Sequence, residues 1–185
     1  MHESLTSLER AADHARGPSA SISPVVALSL RRVPGAGDIA AVRDLVQSTG
    51  FFSDQEVATA VELVEAYLTY GPACTYRFIF AEAEGQLAGY ACYGAIPLTR
   101  SSYDLYWIAV RPALQGGGLG RRLIEATEAE VHAAGGSQIY VDTSSRPLYA
   151  ATRAFYRRLD YQPAADLPDF YAPGDGKMVF AKRLG

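Results

Sequence analysis

The chain has 185 residues, of which 49 % are apolar and 20 % charged, and its net charge is −3 at pH 7. This length predicts one domain with a sizeable core, and these proportions are ordinary for a globular protein. The acidic balance argues against general binding to nucleic acids or anionic membranes. No apolar run approaches the roughly 18 residues that a membrane-spanning helix needs.

The first 24 residues differ from the rest of the chain. They are rich in Ser, Ala and Arg and show no sustained apolar periodicity. We therefore predict a flexible N-terminal extension over residues 1–24 and a single domain over residues 25–185. This N-terminus also lacks the basic-then-apolar order of a secretion signal, which favours a cytoplasmic location.

The first half of the domain predicts a strand, two helices and a hairpin. Residues 25–33 form an apolar strand, and Asp38 is placed to cap a helix that runs to residue 47. Residues 53–56 have the Ser-x-x-Glu capping-box pattern, and apolar residues follow at helical spacing to residue 70. Two strands, 75–81 and 86–95, are separated by a Glu-Gly turn and predict a hairpin.

The second half alternates strands with helices. A strand is predicted over residues 103–110, and a helix over 119–134 ends at two glycines. The remaining elements are a strand at 138–142, a helix at 149–159, and strands at 161–164 and 178–182 that enclose an irregular loop. The predicted order is β-α-α-β-β-β-α-β-α-β-β.

The cysteines and histidines carry no chemistry of their own in this sequence. Cys74 and Cys92 lie in apolar surroundings without Cys-x-x-Cys spacing, which predicts buried thiols in a reducing compartment. His2, His14 and His132 are scattered along the chain. We therefore expect no metal site.

The most informative segment joins the strand at 103–110 to the following helix. It contains three consecutive glycines and a fourth after Leu119, and two arginines follow it. Glycines let the backbone approach a ligand closely, and the unpaired N–H groups of a first helical turn bind anions. The segment predicts a pyrophosphate site.

Three nucleotide-binding motifs compete for these glycines, and a flexible strand–helix turn is a further alternative. A P-loop needs Gly-Lys-Ser/Thr, which is absent. A dinucleotide fingerprint needs a third glycine where Arg121 stands. The pattern Gln/Arg-x-x-Gly-x-Gly/Ala is matched in full by Gln115, Gly118 and Gly120.

That third pattern is the coenzyme A loop of the Gcn5-related N-acetyltransferases (the GNAT family), which the chain resembles over about residues 25–184. The segment from Ala154 to Tyr161 resembles the family's Ala-x-Tyr-x-x-x-Gly-Phe motif, with Asp160 in place of the glycine. The resemblance implies an α/β acyl-coenzyme A N-acyltransferase fold, with a mixed, mostly antiparallel central sheet and helices on both faces. It also implies acetyl-coenzyme A as co-substrate.

The resemblance assigns roles to individual residues. The main chain of Ile108 and Val110 would pair with the pantetheine arm, and Tyr149 replaces an asparagine that bonds the same arm in many members. Tyr156 is the candidate general acid that protonates the departing thiolate; its alternative is a structural helix tyrosine. The pyrophosphate loop would comprise Gln115, Gly116, Gly117, Gly118, Leu119, Gly120 and Arg121.

Asp104 is the candidate base. It lies on the strand before the loop, where histone-type members place a glutamate, and its alternatives are an attractor of a cationic amine or a surface carboxylate. An ordered water is the other candidate proton acceptor. Lys177 is expected to be solvated, and the polar run after Asp142 is expected to line the acceptor side or form a turn.

Together these features predict an N-acetyltransferase that transfers an acetyl group directly to a primary amine in a ternary complex. A small-molecule acceptor is favoured, and a peptide or protein amine is the alternative. A second alternative is a non-catalytic acyl-coenzyme A-binding or sensor module. The enzyme is expected to be a monomer or homodimer.

Overall fold

We describe the protein from a computed structural model, in which residues 28–185 are described. The predicted N-terminal extension lies outside the described residues, as do the first three residues of the predicted first strand. The elements follow the order predicted from the sequence, so the predicted fold class is confirmed.

Seven strands form one sheet. They are β1 (Leu28–Arg31), β2 (Tyr76–Ala83), β3 (Gln86–Ala95), β4 (Ser102–Val110), β5 (Gln138–Ser144), β6 (Gln162–Ala172) and β7 (Asp175–Arg183). Their spatial order is β1-β2-β3-β4-β5-β7-β6. Every neighbouring pair is antiparallel except β4 and β5, which run parallel at the centre of the sheet.

Four helices cover the two faces of the sheet. They are α1 (Asp38–Ser48), α2 (Asp54–Tyr70), α3 (Leu119–Ala133) and α4 (Ala150–Arg158). Helices α1 and α2 pack on one face, where Val42, Val64 and Phe80 are fully buried. Helices α3 and α4 pack on the other, where Leu123, Tyr156 and Phe180 belong to a second buried cluster. Each face therefore has its own core.

The caps of the helices follow their local sequence. Ser53 and Glu56 form the predicted capping box at the start of α2. Asp160 adopts the left-handed conformation (φ +66°) after α4, and the Tyr161 N–H donates to the carbonyl of Tyr156 over 3.1 Å. A short polar side chain tolerates this conformation better than most, so the aspartate takes the family glycine's place.

The expected capping role of Asp38 is not observed. Asp38 is itself the first residue of α1, and its buried carboxylate accepts hydrogen bonds from the Gly35 N–H and the Arg31 guanidinium. The carboxylate is held instead by groups of β1 and of the turn that follows it.

The prediction of an irregular loop between the last two strands is wrong. Strand β6 continues to Ala172, which pairs with Asp175 across a tight turn containing Gly174 (φ +79°). The two prolines and the aspartates of this segment break the alternating pattern that marks a strand. The ladder tolerates them because its register shifts between Leu167 and Ala172.

Candidate active site

A wedge opens between the two parallel strands at the centre of the sheet. Their pairing ends at Leu105 and Val141, although β4 continues to Val110 and β5 to Ser144. The pairing of β3 with β4 shifts register at Tyr106, which is the extra residue of a β-bulge. A bulge bends its strand, so β4 turns away from β5.

The free edge of β4 presents the main chain of Ile108 and Val110 to this wedge. The Arg111 N–H donates to the Ala88 carbonyl of β3, 2.9 Å away. Backbone groups of successive strand residues point to opposite edges, so Ile108 and Val110 point away from β3. Their side chains pack on the α3–α4 core. The wedge therefore has main-chain groups on one side that pair with neither neighbouring strand.

The glycine loop begins where β4 ends. The Gln115 side-chain amide donates to the Val110 carbonyl over 3.0 Å, which ties the loop to the strand. Gly116 (φ +78°) and Gly118 (φ +85°) have left-handed backbones, and a Cβ at either would point into open space. A side chain at Gly118 would be strained and would also occupy the room above the helix terminus.

The N-terminus of α3 faces that room. Gly118 provides no side-chain cap, and the Arg122 N–H is bonded to the Gly118 carbonyl at 3.1 Å. The N–H groups of the preceding first-turn residues are free to bind an anion. Arg121 and Arg122 are exposed beside them, and Arg121 is only loosely paired with Glu125, at 3.6 Å.

Gly120 serves the packing of this terminus. A Cβ at this position would lie 3.3 Å from the ring of Phe155 on α4. The glycine therefore lets the N-terminus of α3 approach the ring of Phe155 on α4 closely.

Tyr156 lies in the core below the wedge. It is 3 % exposed and belongs to the same buried cluster as Leu105 and Val141, the last paired residues of the two strands. Its ring centroid is 5.8 Å from that of Tyr161 and 6.1 Å from that of Phe180. Burial raises the pKa of Tyr156, so the phenol stays protonated at neutral pH.

Asp104 lies on the opposite face of the sheet, near the start of the wedge. It is half-buried, and it forms no ion pair with any other residue from 28 to 185. Burial raises the pKa of Asp104, the neighbouring Asp142 raises it further, and Lys177 lowers it. These three residues come from β4, β5 and β7 and form a row across the sheet.

Lys177 is not a solvated surface residue, as the sequence had suggested. It forms a salt bridge with Asp142, and its ammonium lies 5.0 Å from the centroid of the Phe170 ring. The position is decided by the β6–β7 hairpin, which the sequence pattern did not show.

Tyr149 occupies the N-cap position of α4 without a capping hydrogen bond, and its ring lies near Phe51 and Arg146. Its ring is 6.4 Å from that of Phe51 in the α1–α2 loop, and the Arg146 guanidinium lies 5.7 Å from its centroid. Burial, followed by the charge of Glu56, raises the pKa of Tyr149. The side chain thus faces the α1–α2 loop, and its predicted contact with the pantetheine arm stays a prediction.

Sequence reasoning missed the α1–α2 loop as part of the site. The ring of Phe52 packs on Trp107 at 5.0 Å, while Phe51 reaches Tyr149. The loop therefore bridges β4 and α4 over the wedge. The sequence signal for this loop is the pair of adjacent phenylalanines before the capping box. Two adjacent side chains cannot both point into the same core, so one of the two rings is available for a contact elsewhere.

Comparison with known proteins agrees with this geometry. The family model described as an acetyltransferase (GNAT) domain matches residues 75–163. A curated relative, an IAA acetyltransferase from Azospirillum brasilense, is 40 % identical over 113 residues, which are 58 % of this chain and 68 % of the relative.

Solved structures extend the likeness to the whole domain. A protein from Desulfovibrio desulfuricans assigned to the GNAT family is 43 % identical, with a TM-score of 0.85 over 86 % of this chain and 100 % of the other. The chain belongs to the GNAT family. It is an N-acetyltransferase with acetyl-coenzyme A as its co-substrate, as the glycine loop predicted.

A more distant structure shares only the fold. The ribosomal-protein-S18-alanine N-acetyltransferase of Escherichia coli is 20 % identical, with a TM-score of 0.67 over 86 % of this chain and 95 % of that one.

Within residues 28–185, no helix is long and apolar enough to span a membrane. The same residues contain no cluster of three or more His, Cys, Asp or Glu side chains that could hold a metal ion.

Proposed function

We propose that this GNAT enzyme acetylates a small primary amine by direct transfer within a ternary complex. The observation that carries the proposal is the wedge between β4 and β5, which has free peptide groups at its edge and an unpaired, half-buried carboxylate near its start. One side of the sheet would hold acetyl-coenzyme A, and the other would admit the amine.

The residues of the wedge and loop suit the co-substrate. The main chain of Ile108 and the N–H of Val110 would bind the pantetheine arm, since the Val110 carbonyl already accepts from Gln115. The left-handed glycines and the first turn of α3 would bind the pyrophosphate, with Arg121 adding positive charge. When bound, acetyl-coenzyme A supplies an acetyl group activated as a thioester.

An ammonium acceptor loses two protons from its nitrogen over the reaction, one before attack and one from the adduct; the leaving sulfur gains one from Tyr156, whose own proton is then restored from solvent. The amine nitrogen attacks the acetyl carbon, a C–N bond forms, and the C–S bond breaks. Tyr156 would donate its proton to the sulfur, for which a neutral phenol is the required form. The amine must first lose a proton, because an ammonium has no free electron pair.

Asp104 is the candidate for the amine side. An ordinary aspartate is a weak base at neutral pH, but the raised pKa of Asp104 makes its carboxylate more basic. The same unpaired charge would attract an ammonium group. An ordered water remains the other candidate for the proton transfer itself.

The boundaries of the acceptor side favour a small molecule over a protein. The α1–α2 loop closes one side through Phe51 and Tyr149, and the β6–β7 hairpin closes another through Lys177 and Phe170. A folded protein surface would have to displace these contacts.

The buried phenol of Tyr156 favours an enzyme over a binding module, since a sensor needs no acid. We keep the monomer or homodimer as a prediction, and expect no nucleic-acid partner.

The experiment is a thiol-release assay with acetyl-coenzyme A and two acceptor panels. One panel contains small primary amines, and the other contains peptides with free N-termini or lysines. We expect turnover above the hydrolysis background with at least one small amine and little with peptides. Faster turnover of peptides would replace the small-molecule proposal, while acetyl-coenzyme A binding without any acceptor turnover would favour the sensor.

A further inference from the structure

Aromatic side chains surround the acceptor side of the wedge. They come from the α1–α2 loop, the bulge of β4 and strand β6, and we call them the aromatic rim. The rim consists of Phe51, Phe52, Tyr106, Trp107, Phe170 and Tyr171.

Measured contacts place the rim around the row of charged residues. Tyr106 follows Asp104 by two positions, and Phe52 packs on Trp107, the other residue of the bulge. At the opposite side, the rings of Phe170 and Tyr171 meet edge to face, with their centroids 5.1 Å apart, and the Lys177 ammonium lies over the Phe170 ring. The rim therefore adjoins the charged row at Tyr106 and at Phe170.

Several of these rings are unusually exposed for their size. Phe51 is 40 % exposed, Phe170 56 % and Tyr171 51 %, although other aromatic residues of the sheet are fully buried. Aromatic surface that is left open beside a few polar groups is typical of a ligand pocket. The indole N–H of Trp107 is buried and has no partner among the described residues.

Two of the acidic residues beside the rim are paired with cations. Asp142 is bound by Lys177, and Asp175 is bound by Arg146 at 3.1 Å. Within residues 28–185, this leaves Asp104 as the unpaired charge of the row. Asp104 therefore offers a negative charge to a ligand beside the rim, and the nearby cations Lys177 and Arg146 are already paired.

We propose that the acceptor is a singly charged alkylamine that carries an aromatic ring, with its ammonium at Asp104 and its ring within the aromatic rim. This inference rests on the proposed function. An amine attached directly to an aromatic ring is neutral at pH 7 and would not need Asp104, whereas an alkylammonium has a pKa near that of lysine, about 10.4. A carboxylate next to the acceptor's amine would be repelled by Asp104, and a polyamine has no ring to place within the rim.

Four acceptors test the proposal in the thiol-release assay. They are 2-phenylethylamine, n-hexylamine, L-phenylalanine and spermidine, each compared by kcat/KM at saturating acetyl-coenzyme A. We expect 2-phenylethylamine to exceed n-hexylamine by about tenfold, because ring–ring contacts add to apolar burial. We expect it to exceed L-phenylalanine and spermidine by at least as much.

A variant then assigns the preference to the rim. Phe51→Ala removes an exposed ring from a loop, so its effect on folding is small. It should lower kcat/KM for 2-phenylethylamine about tenfold, change that for n-hexylamine less than threefold, and leave the acetyl-coenzyme A thermal shift unchanged. Tyr70→Ala is the matched control, since Tyr70 is 67 % exposed at the far end of α2.

The outcomes separate this inference from the proposed function. Equal or faster turnover of n-hexylamine, L-phenylalanine or spermidine overturns the aromatic acceptor and leaves a small-amine acetyltransferase. An equal loss with both amines in Phe51→Ala also overturns it, since the loop would then be structural. Turnover of peptides alone overturns both proposals.

Discussion

The two faces of the central sheet differ in how their chemistry is encoded. On the α3–α4 face, the parts that would hold acetyl-coenzyme A are short and local: a strand edge, a glycine loop and one helix terminus. On the α1–α2 face, the acceptor side is assembled from β4, β5, β7, β6 and a loop far away in sequence. The co-substrate side can therefore be recognised from a sequence motif, whereas the acceptor side can be recognised only from the three-dimensional structure.

The largest effect should come from breaking the motif face. Gly118→Asp places a strained side chain and a negative charge at the N-terminus of α3, where the pyrophosphate would bind. We expect the affinity for acetyl-coenzyme A to fall by about 100-fold or more, corresponding to the loss of about 3 kcal/mol. A thermal-shift titration measures this, because a ligand of the native state raises the melting temperature.

Gly135→Asp is the control for backbone strain in that experiment. Gly135 has nearly the same conformation (φ +83°) and the same open surroundings, but it follows the opposite end of α3. This variant should be destabilised and yet keep the acetyl-coenzyme A shift. Parent protein that shows no shift at millimolar acetyl-coenzyme A would contradict the assignment of the loop.

The next largest effect concerns the acid that connects the two faces. Tyr156→Phe should lower kcat by about 10- to 1,000-fold while acetyl-coenzyme A binding stays nearly unchanged, which is the usual contribution of general acid catalysis. The hydroxyl is deleted without changing the packing of the ring, so the fold should persist. Turnover within about twofold of the parent would make Tyr156 a structural residue.

Asp104→Asn sharpens the comparison on the acceptor face. If Asp104 is the base, the parent enzyme loses activity as the pH falls through the raised pKa of Asp104, because the carboxylate becomes protonated. The asparagine variant should lack this decrease at acidic pH and should also lose much of its kcat. We expect this result, with a decrease of about tenfold or more. As an attractor alone, the residue would instead affect the KM of the amine, and the effect would shrink with salt over about 10 Å of screening at 0.1 M. A normal kcat and pH profile would leave water as the proton acceptor.

The smallest effect tests whether an orphan hydroxyl outside the site has a role. Tyr90 on β3 is fully buried beneath α1 and α2, and its hydroxyl has no hydrogen-bond partner within residues 28–185. Tyr90→Phe removes a desolvated group that forms no bond there, so stability should stay the same or rise by about 1 kcal/mol. Chemical denaturation measures the change. A loss of activity at unchanged stability would show that the acceptor side reaches deeper into this core.

Much of the fold could be predicted because its signals are local. The capping box of Ser53 and Glu56, the glycines after α3 and the left-handed Asp160 all act within one or two turns of backbone. The β6–β7 hairpin escaped prediction for the opposite reason. Its prolines and aspartates deny a strand pattern, and only the ladder with β7 keeps the segment extended.

The sequence by itself determined the family and the co-substrate, and it predicted the residues of the pyrophosphate loop, because backbone geometry and a helix dipole need only a few consecutive residues. Only the tertiary structure decided the surroundings of Asp104 and the pairing of Lys177 with Asp142. Those contacts join residues from different strands, and the bulge at Tyr106 that opens the wedge is set by the register between β3 and β4. Acceptor chemistry depends on such long-range neighbours, which no local pattern of residues specifies.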